Sequence, residues 1–152
     1  MAILVDQARW PWRGTTWCHL VSDEHLDELH EFAAGLGCRR IGFQGDHYDI
    51  DVVTRSLALE LGAEACDSRE LVRRLRGAGL RLRPSAFEKW SLHARFDGGF
   101  AVQRNGARAL VLVGTGDRPS IIEDPARGIH HRVDQLGEWS VEIVHPPLEA
   151  HQ

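Results

Sequence analysis

The sequence predicts an α/β fold: a small parallel sheet with crossover helices, extended or flanked by antiparallel β strands from the C-terminal part. Three observations carry this. Short apolar runs alternate with helix-periodic segments over residues 2–83. The chain changes character near Pro84. Beyond it, Asn105-Gly106 separates two apolar runs, and Asn-Gly favours the turn that closes a β-hairpin.

The elements follow in order. Ala2 to Val5 is a short buried strand. Ser22 suits a helix N-cap, and Asp23 and Glu24 suit the positive end of the dipole. Leu26, Leu29, Ala33 and Leu36 recur at helical spacing, and Gly37 stands where a C′ glycine belongs. Arg40 to Phe43 reads as the second strand. A second helix starts near Asp51, shows Val53, Leu57 and Leu61 on one face, and closes at Gly62. Glu64 to Cys66 is a very short third strand. Ser68 caps a third helix that turns Leu71, Val72 and Leu75 inward and ends near Gly77. Phe100 to Arg104 and Ala107 to Val113 form the hairpin; Ser120 to Ile122 and Trp139 to Val144 are further strands. This gives an α/β domain over 1–84 and a β-rich extension or subdomain over 85–152.

Composition narrows the classes. The 152 residues are 43% hydrophobic and 26% charged, as in ordinary globular proteins. A formal charge of -4 argues against general attraction to nucleic acid or anionic lipid, though a local basic patch is compatible with it. The first residues lack a positive n-region, and no apolar run is long enough to span a bilayer, so neither a signal peptide nor a membrane segment is expected. The three cysteines, Cys18, Cys38 and Cys66, form no Cys-x-x-Cys pair, which fits a cytoplasmic location.

Chemistry concentrates at Asp46-His47-Tyr48-Asp49. Three expected strands each end at an acid: Asp6, then Asp46 with His47 and Asp49, then Asp67. In a parallel sheet such ends share an edge, where ligands bind. Clustered carboxylates repel unless a cation compensates. A mixed His/Asp set suits Mn²⁺, Fe²⁺ or Zn²⁺ better than Mg²⁺. Asp6, His47 and Asp49 are the expected ion ligands. Asp46 or His19 is the expected general base, and Arg55 the anchor for a substrate anion. Asp67 is expected to be a helix-entry or turn cap instead. Cys18 and His19 point to opposite sides of an extended segment, so Cys18 reads as buried and inert. His30 lies near the apolar face of the first helix, bonded to Asp6 or Tyr48 behind the ligands. Trp10, Trp12 and Trp17 with Arg13 form a loop that either stacks on a base or packs as a lid. Arg69, Arg73 and Arg76 share a helical face within an arginine run that reaches Arg83, read as solvated surface. Gly114-Thr115-Gly116 is read as an ordinary turn, and His130-His131 as a poor chelate.

The N-terminal part resembles the domain of unknown function 4031 family of bacteria and phages over residues 1–83. The matching stretches are Leu4-Val5-Asp6, Cys18-His19-Leu20-Val21-Ser22-Asp23, Glu28-Leu29-His30, Asp46-His47-Tyr48-Asp49-Ile50, Arg55 and Gly62-Ala63. The resemblance implies that Asp6, His19, Asp23, His30, His47, Tyr48, Asp49 and Arg55 form one constellation, with Asp23, His30 and Tyr48 behind the ligands. It supplies no reaction. The residues point to a metal-dependent hydrolase acting on a phosphoester, either a small phosphorylated ligand or nucleic acid. The alternative is a non-catalytic module binding a ligand or protein, its polar residues a network fixing the tryptophan loop. Cysteine catalysis through Cys18 is a weaker third.

Overall fold

The structure, a computed structural model, describes residues 2–82 and 88–148. The expected boundary at Pro84 and Ser85, and Arg83, lie outside the described residues. Two sheets and three helices make a mixed α/β architecture. The first sheet holds β1 (Ile3–Val5), β2 (Trp10–Trp12), β3 (Thr15–Ser22), β4 (Tyr48–Asp51) and β5 (Glu64–Ala65). The helices are α1 (Leu26–Gly35), α2 (Val52–Glu60) and α3 (Ser68–Gly77). The second sheet holds β6 (Ser91–Phe96), β7 (Gly99–Arg104), β8 (Ala107–Thr115), β9 (Ile129–Val133) and β10 (Glu138–His145), in the order β6-β7-β8-β10-β9.

The expected parallel sheet is corrected: the only parallel pairing among the described residues is β1 with β5, over Leu4↔Glu64 and Val5↔Ala65. The reason is β3, which runs where a loop was expected. Arg13 (φ 49°) and Gly14 (φ 75°) both take the left-handed conformation of a two-residue hairpin turn. The chain therefore returns beside itself at once, and no crossover helix is needed. β3 pairs antiparallel with β2 and β1 along one edge and with β4 along the other.

Arg40–Phe43 is not a strand. Residues Arg40–Gly42 form a 3-10 turn, and the strand follows it as β4, where buried Tyr48 and Ile50 alternate with half-exposed Asp49 and Asp51. The N-cap of α1 is His25; Ser22 Oγ instead accepts from the Glu24 and His25 amides, both at 3.1 Å, and holds the preceding turn. Asp51 caps α2 and Asp67 caps α3, each taking the third following amide at 2.8 Å, so Ser68 is the first helical residue. The face of α2 is also corrected. Val53 (69% exposed) and Leu61 (54%) point to solvent, and Ala58 is buried. In the second sheet the Asn105-Gly106 hairpin joins β7 to β8 as expected. Ser120 to Ile122 is not strand, while β6 and β9 had not been anticipated.

The first sheet is packed on both sides. Ile3, Val5, Cys18, Leu20, Tyr48 and Ile50 meet Leu29 and Ala33 of α1 and Ala58 of α2. Leu4 and Val21 point the other way, onto Leu71 and Leu75 of α3. The two sheets meet at one clasp. Glu142 of β10 is fully buried and accepts from the amides of Arg40 and Ile41, both at 2.8 Å. Arg132 of β9 donates to the Cys38 carbonyl at 2.9 Å. Gly37 (φ 82°) lies so close to Asp134 that a Cβ would come within 2.7 Å of its Cα. Among the described residues no helix is long and apolar enough to cross a membrane.

Candidate metal centre

β3 sends Cys18 and Leu20 into the core and turns Trp17 and His19 to the other face. His19 stands directly opposite Asp49 in the β3–β4 register. Partners so placed on an antiparallel pair bring their side chains together. His47 precedes Asp49 by two residues, hence on the same face. The result is a compact group: one ligand atom each from His19, His47 and Asp49, all within 4.8 Å of one another. The two imidazoles meet edge-on with centroids 5.0 Å apart.

Each imidazole is held from behind by a buried acid. Asp6, at the end of β1, takes His19 Nδ1–H on Oδ2 at 2.8 Å and the His19 amide on Oδ1 at 2.7 Å. Ser68, at the start of α3, donates to the same Oδ2 at 2.9 Å. Burial would raise the Asp6 pKa, but these bonds outweigh it and hold the carboxyl below its usual range. Asp46 takes His47 Nδ1–H on Oδ1 at 2.6 Å, with the Leu82 amide on Oδ2 at 2.9 Å and Arg81 at 3.4 Å. It too is buried yet held low. His47 Nε2 lies 3.3 Å from Asp49 Oδ1, and Gln44 donates to Asp49 Oδ2 at 2.5 Å. Burial favours neutral His47, but its bonds to Asp46 and Asp49 prevail and push its pKa up to about 9.

The expected residues sort into three places. His19, His47 and Asp49 come together. Asp6 and Asp46, expected as an ion ligand and a general base, stand one step back. Their oxygens are taken by the imidazoles and amides, leaving Asp6 1% and Asp46 3% exposed. Arg55 reaches the same end of β1, where its Nε donates to the Asp6 carbonyl at 2.7 Å. It forms no ion pair among the described residues. Asp23, expected within the constellation, is at the opposite end of β1: it accepts from the Ala2 amide at 2.8 Å and pairs with Arg74 of α3. Antiparallel pairing of β3 with β1 dictates this, because Ser22 aligns with Ile3. His30 and Tyr48 are bonded to each other at 2.8 Å on the core side of β4. Alternation puts Tyr48 on the opposite face from His47 and Asp49.

Ser68, Gln44 and Arg81 were not anticipated at the centre. Ser68 had been read as a helix cap; it follows Asp67 into the first turn of α3, which abuts Asp6. Cys18 is fully buried, and burial, with the Asp6 charge adding to it, pushes its thiol up to about 12. That removes it as a nucleophile at neutral pH.

An α/β chain with a two-histidine, one-carboxylate cluster is thus the class that fold and site define. The chain belongs to the family described as protein of unknown function DUF4031, whose model matches residues 3–78, from β1 through α3. No curated protein and no solved structure matches it.

Proposed function

We propose that this protein is a metal-dependent hydrolase acting on a phosphoester, with His19, His47 and Asp49 holding a divalent Mn, Fe or Zn ion. One observation carries the reading: each histidine gives its Nδ1–H to a buried carboxylate, leaving Nε2 for the cluster. Metal-binding histidines are oriented in this way, and two histidines with one carboxylate leave coordination positions open. Such an ion polarises a phosphoryl oxygen and acidifies water. Asp6 and Asp46 fix the ring orientations, and Ser68 fixes Asp6. The two terminal nitrogens of Arg55, whose Nε is tied to the strand end, suit a phosphoryl oxygen.

The experiment is metal analysis and calorimetry on protein purified without a His tag, followed by hydrolysis of bis(p-nitrophenyl) phosphate with Mn²⁺ or Zn²⁺. Wild type should bind one ion, and Asp49→Ala should lose it while staying folded. Wild type that binds none of the three metals removes the proposal. The second reading, a non-catalytic module, is favoured by the grip of Asp46 and Asp49 on both nitrogens of His47. That grip makes a closed ion-paired network without any metal. A His47→Ala variant that unfolds, rather than folding and losing metal, favours it.

A further inference from the structure

A cleft of about 520 Å³ opens between the two sheets and reaches Asp49. This lies within the range of small-molecule sites, about 300–1,000 Å³. The first sheet lines it with Trp12, Trp17 and Asp49, the second with Phe100, Glu138 and Trp139. The second-sheet wall lies outside residues 3–78, the stretch that the family model matches.

The wall is built rather than incidental. Trp139 of β10 stands opposite Gly114 of β8, and its ring lies across the glycine: a Cβ there would come within 2.4 Å of the indole Cζ2. Two lining residues carry buried donors without an acceptor among the described residues, Trp139 Nε1 and Arg39 Nε. Arg39 also places its guanidinium carbon 5.4 Å from the centre of the Phe100 ring. Unmet buried donors call for acceptors. The acidic lining groups are Asp49, Asp51, Asp134 and Glu138. Four acids against one arginine disfavour an anion within the cleft and supply acceptors instead. The fitting occupant is a flat, uncharged ring with both donors and acceptors on its edge.

We propose that the cleft between the sheets binds the base of a nucleotide, an amino-bearing purine or pyrimidine. The ring lies among Trp12, Trp17, Phe100 and Trp139, with its phosphate held outside at the His19–His47–Asp49 end. Aromatic walls suit any base face, while the acceptors favour exocyclic amines. The placement of the phosphate rests on the phosphoester reading; the ring subsite does not.

The test is equilibrium dialysis of the full chain against adenosine, cytidine and ribose 5-phosphate, with chelator present so that no metal is required. Adenosine or cytidine should bind saturably and ribose 5-phosphate should not. Trp139→Ala should weaken nucleoside binding about tenfold or more, as loss of one base–aromatic contact does. Trp139→Phe should keep most of it. Phe100→Ala, on a separate strand, provides an independent variant, and circular dichroism shows that each is folded. The proposal is overturned if neither nucleoside binds saturably, if ribose 5-phosphate binds as well as they do, or if a folded Trp139→Ala or Phe100→Ala binds like wild type. Metal binding without nucleoside binding sinks this inference alone. Nucleoside binding without metal binding sinks the hydrolase alone.

Discussion

Each half of the molecule places a histidine beside a buried carboxylate, and the two pairs behave oppositely. In the first, Asp46 bonds the His47 ring, Asp49 faces its other nitrogen, and the imidazole is pushed up to about 9. In the second, His130 stands directly opposite Glu142 in the β9–β10 register. There the acid spends its oxygens on the amides of Arg40 and Ile41. His130, buried and near Arg132 and Arg40, is pushed down to about 4. Burial likewise drives Glu142 upward, against its two amide bonds. Adjacency alone does not set charge; the hydrogen bond does. The Asp46 carboxylate is spent on an imidazole, the Glu142 carboxylate on backbone amides.

The largest expected effect breaks the amide-bound side of this contrast. Glu142→Ala leaves two buried amides without an acceptor and should lower stability by about 3 kcal/mol in urea unfolding. Glu142→Gln keeps one acceptor oxygen and should lose less. A neutral Glu142→Ala would mean that the clasp does not hold the sheets.

Of similar size is the pH response of His130. Its folded pKa is lower than its unfolded one, so the unfolded chain takes the proton first. Stability should be intact above about pH 6.5 and fall by about 3 kcal/mol as pH drops from 6.5 towards 4. His130→Asn should flatten that part of the pH–stability curve. In metal-free protein, nitrogen NMR should find His47 still protonated at pH 8 and His130 neutral at pH 5.

On the imidazole side, Asp6→Asn keeps the shape but weakens the grip on His19. It should reduce metal affinity by about 10–100-fold, read by calorimetry, with little change in melting temperature. A loss of fold without a change in metal affinity would assign Asp6 to structure. The smallest effect is a non-event: a thiol reagent at neutral pH should label the half-buried Cys66 before Cys18.

The helices were legible as segments because apolar periods are local: Leu29 with Ala33, and Leu71 with Leu75, need only a turn or two of chain. The buried face of α2, at Ala58, and the N-cap of α1, His25, were not. The strand β3 was not legible, because its hairpin turns on Arg13-Gly14 rather than the stronger Asn-Gly signal, and the tryptophans with Pro11 resemble a loop. Its alternation of Cys18 and Leu20 against Trp17 and His19 was on the page, as was that of Tyr48 and Ile50 against Asp49. With β3 unread, the sheet was taken as parallel; the place of Asp23 in the constellation came from the family resemblance, and the β1–β3 register puts it at the other end. Asp6, His19, Asp46, His47 and Asp49 were legible as a set, whereas Gln44, Ser68 and Arg81 were not. The division of that set into inner His19, His47 and Asp49 and outer Asp6 and Asp46 depends on the His19↔Asp49 register, which no local pattern encodes.

The clasp at Glu142 has a consequence for timing. The turn that leads into the His-Tyr-Asp run is completed by a residue about a hundred positions further along. Closing so long a loop is entropically slow, and contacts of this separation form late. A nascent chain ending before β10 leaves Arg40 and Ile41 exposed to water, with the segment ahead of β4 free to wander. The turn ahead of the centre therefore gains its buried acceptors only once β10 has been made, so a strand of the second sheet completes the lead-in to residues of the first.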